Sequence, residues 1–384
     1  MSKVAFKRLG DLITLKRGYD LPEKVRIAGP YPVISSSGVS GWHNEYKVEG
    51  PGVVTGRYGT LGEMYYVEEE YWPHNTALYV QDFKGNDPKY IYYLLSCLGR
   101  IRTSDKSAVP GVNRNELHEM AVPAIEDLTS QKKIREVLES IDEKIALNNR
   151  IIAELEAMAK TLYDYWFVQF DFPDANGKPY KTSGGKMVYN ATLKREVPVG
   201  WAVNTLSQIA NITMGQSPAG ESYNEEGIGT LFFQGSTDFG WLFPTPRQYT
   251  TSPARMAKKG DILLSVRAPV GDMNIANADC CIGRGLAALN SKSHSDGFLF
   301  YVMKYFKQIF DRRNAEGTTF GSMTKDDLHS LQVVCPEPGL LKRYDDIVSE
   351  YNKMIFSRSL ENQDLIKLRD WLLPLLMNGQ VTVK

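Results

Sequence analysis

The sequence predicts an α+β protein in which two mixed α/β domains are held apart by an antiparallel two-helix coiled coil, the whole forming a pseudo-two-fold repeat. Three observations predict this. SQKKIREVLESIDEKIALNNRIIAELEAMAKTLYDYWF (130–167) holds no Pro or Gly, and Ile134, Leu138, Ile141, Ile145, Asn148, Ile152, Leu155, Ala159, Leu162 and Trp166 follow at alternating steps of four and three. That is the period of about 3.5 residues of a coiled-coil seam, not the period of about 3.6 of a simple surface helix. A second run, Tyr344, Val348, Tyr351, Ile355, Arg358, Asn362, Leu365, Arg369, Leu372 and Leu376, keeps the same phase near the other end of the chain. The segments before each run repeat as well. FKRLGDLITLKRG (6–18) pairs with WAVNTLSQIANITMG (201–215), VVTGRYGTLGEM (53–64) with ILLSVRAPVGDM (262–273), and NRNELHEMAVP (113–123) with TKDDLHSLQVVCP (324–336). Self-similarity of this kind takes precedence over any local reading.

In chain order, residues 1–129 read as the first domain, with short strands over 12–15, 31–34, 52–55, 64–67 and 77–80 bounded by Gly, Pro and Ser. PKYIYYLLSCLGRI (88–101) is its clearest helix, with Pro at the start and an apolar face. The first long helix takes 130–170, capped by Asp127, Thr129 or Ser130, and at about 1.5 Å per residue it reaches on the order of 55 Å. Residues 171–200 form a polar connector rich in Gly and Lys. The second domain, 201–337, repeats the strand pattern with an inserted stretch around 232–250 and a helix over 296–310. The second long helix occupies 338–384, starting near Leu340 and closing at Asn378 and Gly379, a sound C-cap pair. Pro374 stands where the first copy has Asp164, and predicts a kink or a shorter helix.

The length of 384 residues exceeds the usual single core. Equal numbers of Lys+Arg and Asp+Glu, 45 each, leave no net field to draw the molecule toward a polyanion, so any nucleic-acid surface must be local. The four cysteines, Cys97, Cys280, Cys281 and Cys335, make no C-x-x-C pair, which predicts reduced thiols and no zinc site. No run approaches roughly 18 apolar residues and the N-terminus has no apolar signal core. A cytoplasmic protein is expected.

Catalytic signatures are missing. SGGKM (183–187) lacks the upstream Gly and the following Ser or Thr of a phosphate-binding loop, and neither HExxH nor G-x-S-x-G occurs. His118 and His329 hold matching places in the two repeats and read as structural. The acid pairs Asp326–Asp327 and Asp345–Asp346 read as helix-start carboxylates that meet the dipole. The chain is expected to catalyse nothing by itself.

Over nearly its whole length the chain resembles the specificity subunit of type I restriction-modification systems. The resemblance is carried by the LGDLITLKRG opening, the VVTGRYGTLGEM and ILLSVRAPVGDM segments, the LxxMAVP exit into the first long helix, and the connector FDFPDANGKPYKTSGGKMVYNATLKREVPVGW. It implies that the two domains are target recognition domains, each reading half of a bipartite, asymmetric site on double-stranded DNA. It implies as partners two methyltransferase subunits, which use S-adenosylmethionine on adenine N6, and two ATP- and Mg-dependent restriction subunits. Pro374, Arg358 and Arg369 depart from a smooth second seam.

The same geometry follows from the repeat. Two like units close around a pseudo-two-fold axis, their helices then run antiparallel, and a rod of that length spans half-sites about one helical turn, roughly 34–36 Å, apart. Unlike loops imply unlike half-sites. Arg reads guanine, and Asn or Gln reads adenine, so Ser37, Arg57, Tyr58, Asn113, Arg114, Gln216, Arg247, Arg267 and Lys325 are the candidate base readers. Arg102, Lys106, Arg312 and Arg313 are the candidate phosphate clamps. Arg57 and Arg267 occur in both copies, which favours a structural or phosphate role, and Gly62 and Gly271 read as turn glycines. Two other classes remain open: a methyltransferase whose reading portion is this chain, and a coiled-coil scaffold whose domains bind no DNA.

Overall fold

The computed structural model describes residues 4–57, 63–98, 113–240, 242–315 and 322–383, the side chains of 312–315 excepted. Contacts divide the chain into two compact units, Met1–Asn148 with Glu361–Lys384, and Asn149–Leu360.

In the first unit a four-stranded sheet has the order Thr14–Arg17, Ala77–Asp82, Gly52–Gly56, Met64–Val67, with every pair antiparallel. A three-stranded sheet orders Gly38–His43, Tyr31–Ser35 and Trp72–Pro73, the last two parallel. Ala5–Arg8 pairs with Ala121–Ala124 and closes the domain next to its exit. Where a strand over 12–15 was expected, the chain makes one helical turn, Leu9–Leu12, and the strand starts at Thr14. Leu9 and Leu12 are both buried, an i, i+3 pattern that one helical turn satisfies and strand alternation does not. The helix Pro88–Cys97 starts on the Asp87 carboxylate, which accepts from Tyr90 N at 2.9 Å. The remainder of the segment expected to be helical, from residue 99, lies outside the described residues.

The second unit repeats the plan. Its four-stranded sheet orders Ala210–Met214, Leu286–Ser291, Ile262–Ser265, Met273–Ile275, and Ala202–Thr205 pairs with Gln332–Cys335. The counterpart of the three-stranded sheet has five strands, because Gln248–Thr250 takes the place of Gly38–His43 and Tyr223–Asn224 and Met256–Ala257 are added at the two edges. Its parallel pair, Thr230–Phe233 with Cys280–Ile282, matches the parallel pair of the first unit. The connector is folded, which its polar composition did not predict. Phe172 lies between Tyr180 and Trp201, with ring centroids 4.6 and 5.0 Å away, and Met187–Asn190 forms a hairpin with Arg195–Pro198.

The first long helix, Leu128–Tyr163, starts on Asp127, which accepts from Ser130 N at 2.8 Å. A π turn, Asp164–Val168, follows it and buries Trp166 and Phe167 against Tyr344 and Phe298. The second long helix, Pro338–Met377, is not shortened by Pro374. That proline lies in the last turns, and the carbonyl deprived of its donor belongs to exposed Asp370, within reach of water. Gly379, at φ +64°, then ends the helix, its N–H bonded to Leu376 O at 3.2 Å.

In the first unit the two helices run antiparallel: Asn148 Nδ2 donates to Asn362 Oδ1 at 2.9 Å, and about two turns further on Arg369 donates to Asp142 Oδ1 at 3.0 Å. Ile134, Leu138, Ile141 and Asn148 are buried here and Ile145 is half-buried. Opposite them Asn362 and Leu376 are buried, with Leu365 and Leu372 half-buried. Leu138 joins the domain core formed by Leu9, Ile91, Leu94 and Val122, and its burial contributes about 1.5–3 kcal/mol. In the second unit Ile152, Leu155 and Ala159 share one core with Tyr344, Val348 and Ile355, while Leu162 and Tyr351 are half-buried beside it. Arg369, a departure in the sequence, is held by Asp142, whose other oxygen accepts from Tyr93 OH at 2.7 Å. Asp345 does not serve its own helix. Its carboxylate accepts from Phe298 N at 3.2 Å, near the start of Asp296–Ala315, and burial raises its pKa.

Candidate nucleic-acid interface

Both units carry the same set of four backbone hydrogen bonds where four chain segments converge between the two sheets. In the first unit Gly18 N bonds to Ala77 O at 3.1 Å, Tyr19 N to Pro73 O at 2.8 Å, His74 N to Ile34 O at 2.8 Å and Arg57 N to Thr76 O at 2.9 Å. In the second, Gly215 N bonds to Leu286 O at 2.9 Å, Gln216 N to Ile282 O at 3.0 Å, Gly283 N to Phe233 O at 2.8 Å and Val266 N to Gly285 O at 2.9 Å. Glycine is required at the crossing. A Cβ on Gly18 would stand 2.2 Å from His74 O, and one on Gly215 would stand 2.1 Å from Gly283 O. One backbone frame therefore presents two different sets of side chains.

Of the candidate residues, Arg57 and Gln216 belong to this frame. Ser37 is exposed in the two-residue turn between Tyr31–Ser35 and Gly38–His43, its hydroxyl 3.2 Å from Ser35 Oγ. Arg57 is half-buried and matches Val266, so Arg267 lies one residue further on, in the exposed turn after Ile262–Ser265. The two arginines are not equivalent positions, and the inference from their being shared no longer applies. Asn113 caps the short helix Arg114–Glu119, accepting from Asn115 N at 3.0 Å. Thr324 caps Lys325–His329 in the same way, so Arg114 and Lys325 are the exposed first residues of matching helices. Gln216 is exposed, with no side-chain partner among the described residues. Arg247 is engaged: Nε lies 2.7 Å from Asp238 Oδ1, with Glu225 at 3.7 Å, and this pairing raises its pKa. Tyr58, Arg102, Lys106 and Gly62 lie outside the described residues, and the side chains of Arg312 and Arg313 do as well. Gly271 has φ +92°, as a turn glycine should.

Arg284 has no place in the sequence-based ranking. It is exposed between buried Gly283 and Gly285, and its N–H donates to Ser217 Oγ at 3.3 Å. A Cβ on Gly283 would stand 2.8 Å from Gln234 Cα, and one on Gly285 would stand 2.8 Å from Gln234 O, so this turn is pressed onto the segment after Thr230–Phe233. Ser217 Oγ also lies 2.9 Å from Gln234 Nε2. The signal available in the sequence was a Gly-Arg-Gly between two apolar strands. The frame position of Arg284 in the first unit is Asn75, whose Nδ2 donates to Asp20 Oδ1.

The polar chemistry elsewhere is structural. His118 Nε2 accepts from Leu15 N at 3.0 Å, and burial, then nearby Arg114 and Lys84, lowers its pKa. The four cysteines are free thiols, and burial pushes Cys280 up to about 12, which keeps it protonated. Among the described residues no group of three His, Cys, Asp or Glu could hold a metal ion, and no helix is long and apolar enough to cross a membrane.

The family model for the type I restriction modification DNA specificity domain matches residues 1–157 and 198–339. A Methanocaldococcus jannaschii protein described as the specificity subunit of type I restriction enzyme MjaX is 32% identical over 307 residues, 78% of this chain and 69% of that protein. The type I restriction enzyme MjaIX specificity subunit of the same organism is 23% identical over 329 residues, 79% of this chain and 73% of the relative. In structure, the S subunit of a type I restriction-modification system from M. genitalium matches with a TM-score of 0.64 over 97% of this chain and 96% of that one. At 17% identity this is a likeness of fold.

Proposed function

The chain belongs to the type I restriction-modification DNA specificity family, and from that premise we propose that it reads a bipartite, asymmetric duplex site, each domain taking one half. The observation that carries this reading is the duplicated frame. A backbone arrangement kept in both units, with Asp20 and Asn75 on one copy and Ser217 and Arg284 on the other, suits one docking geometry and two different base sequences. The long helices serve as the spacer, since each contributes one part to the first unit and the remainder to the second.

On this reading the chain is the non-catalytic recognition part of a larger assembly. Two methyltransferase subunits supply adenine-N6 methylation from S-adenosylmethionine, and two restriction subunits supply ATP- and Mg-dependent cleavage. Arg114 and Lys325, exposed at matching helix starts, are cast as phosphate contacts common to both halves, while Ser37, Gln216 and Arg267 remain base-side candidates. The net charge of zero fits contacts that are local and few.

The test is to map N6-methyladenine across a genome in cells carrying the chain and its methyltransferase partner. A single two-part motif with an unspecified gap supports the proposal, and duplex binding that falls steeply with salt should accompany it. Methylation without a motif, or no duplex binding at any salt concentration, contradicts it.

A further inference from the structure

We propose that Arg284 is a specificity-determining residue of the second domain, reading a guanine, and that Asn75, at the same frame position, reads an adenine for the first. The inference rests on the DNA-reading function above and names where that reading is done.

Four observations converge on these positions. The frame bonds make residue 75 equivalent to residue 284: each follows the residue whose N–H closes the parallel strand pair, and each precedes the residue whose carbonyl receives Arg57 N or Val266 N. Such a position keeps its backbone in both domains and is free to differ in side chain, as a site that reads different sequences requires. The other frame positions do not meet that condition. Val266 is apolar and buried opposite Arg57, and Tyr19, opposite Gln216, is committed to the core by its bond to Tyr79 OH at 3.1 Å and its packing on Trp72.

Arg284 is also an exposed arginine with no ion-pair or hydrogen-bond partner for its guanidinium among the described residues, whereas Arg247 is held by Asp238. Its backbone is nonetheless fixed. The flanking glycines press on Gln234 and Gly235, and Ser217 holds the N–H between them. A rigid base under a free guanidinium is suited to bidentate contact with guanine O6 and N7. At Asn75 one amide proton is taken by Asp20, which sets the orientation of the amide. The remaining proton and Oδ1 form the donor and acceptor pair that matches adenine N7 and N6.

The experiment compares methylation motifs for the assembly with its methyltransferase partner, carrying the wild-type chain, Arg284→Ala, Arg284→Lys or Asn75→Ala. Arg284→Ala should relax one guanine in one half of the motif, leave the other half intact, and weaken binding to the cognate duplex by about 5- to 150-fold with non-specific binding unchanged. Arg284→Lys should give partial relaxation at the same base. Asn75→Ala should relax one adenine in the opposite half. An unchanged motif with uniformly weaker binding and a salt slope reduced by about one would make Arg284 a phosphate contact and overturn the proposal. Full retention of motif and affinity would overturn it as well. A wild-type chain that yields no motif would remove the DNA-reading function itself, a failure distinct from either result.

Discussion

At the scale of single residues, close backbone approach decides what the chain tolerates. The amides of Gly18 and Gly215 bond to Ala77 and Leu286, and a Cβ at either position would overlap a carbonyl of the crossing segment, so a methyl group has no room. Gly18→Ala should destabilise the first domain by about 1–3 kcal/mol, the usual cost of forcing atoms into filled space. The denaturation midpoint measures this, and an unchanged midpoint would refute the crossing. His118 gives a pH test. It accepts the Leu15 N–H only when neutral, and its pKa is lowered in the fold, so the unfolded chain binds the extra proton first. The stability it contributes is complete above its unfolded value of about 6.5 and is lost as pH falls below it. Melting followed between pH about 7.5 and about 5 should show a smaller acid-side loss in His118→Gln than in wild type. Equal losses would mean that the histidine is not the acceptor.

Among the elements, the two long helices were the most legible, and the reason is physical. A seam kept in phase over ten positions signals one continuous surface, and Ile134, Leu138, Ile152 and Leu155 are buried where that phase puts them. What escaped depends on partners far away in sequence. The turn at Leu9–Leu12 and the frame around Arg284 rest on contacts made across many residues, and no local period encodes them. Arg247 ranked as a base reader, although it is paired with Asp238 only nine residues away, a pairing that no period in the sequence encodes. Asp142 is the element-scale test, since it joins Tyr93 of the domain helix to Arg369 of the second long helix. Asp142→Ala should cost about 1.5–3 kcal/mol, as expected when a charged hydrogen-bond partner is lost, whereas Asp142→Asn, which still accepts from Tyr93, should cost less. Equal midpoints for all three chains would show that the helix pair does not depend on this link.

The whole molecule is a duplication whose copies kept their scaffold and changed their surface. Matching sheets, matching capped helices and a matching hydrogen-bond frame recur in each unit, and the side chains presented on them differ. The two reading domains should then act independently, each fixing its own half of the target. Exchanging residues 1–129 for the corresponding domain of a relative, and mapping methylated adenines in cells with the partner subunit, tests this most directly. The account predicts that one half of the motif takes the relative's sequence while the other half and the gap stay as they were. A change in both halves, or a single uninterrupted motif, would contradict it.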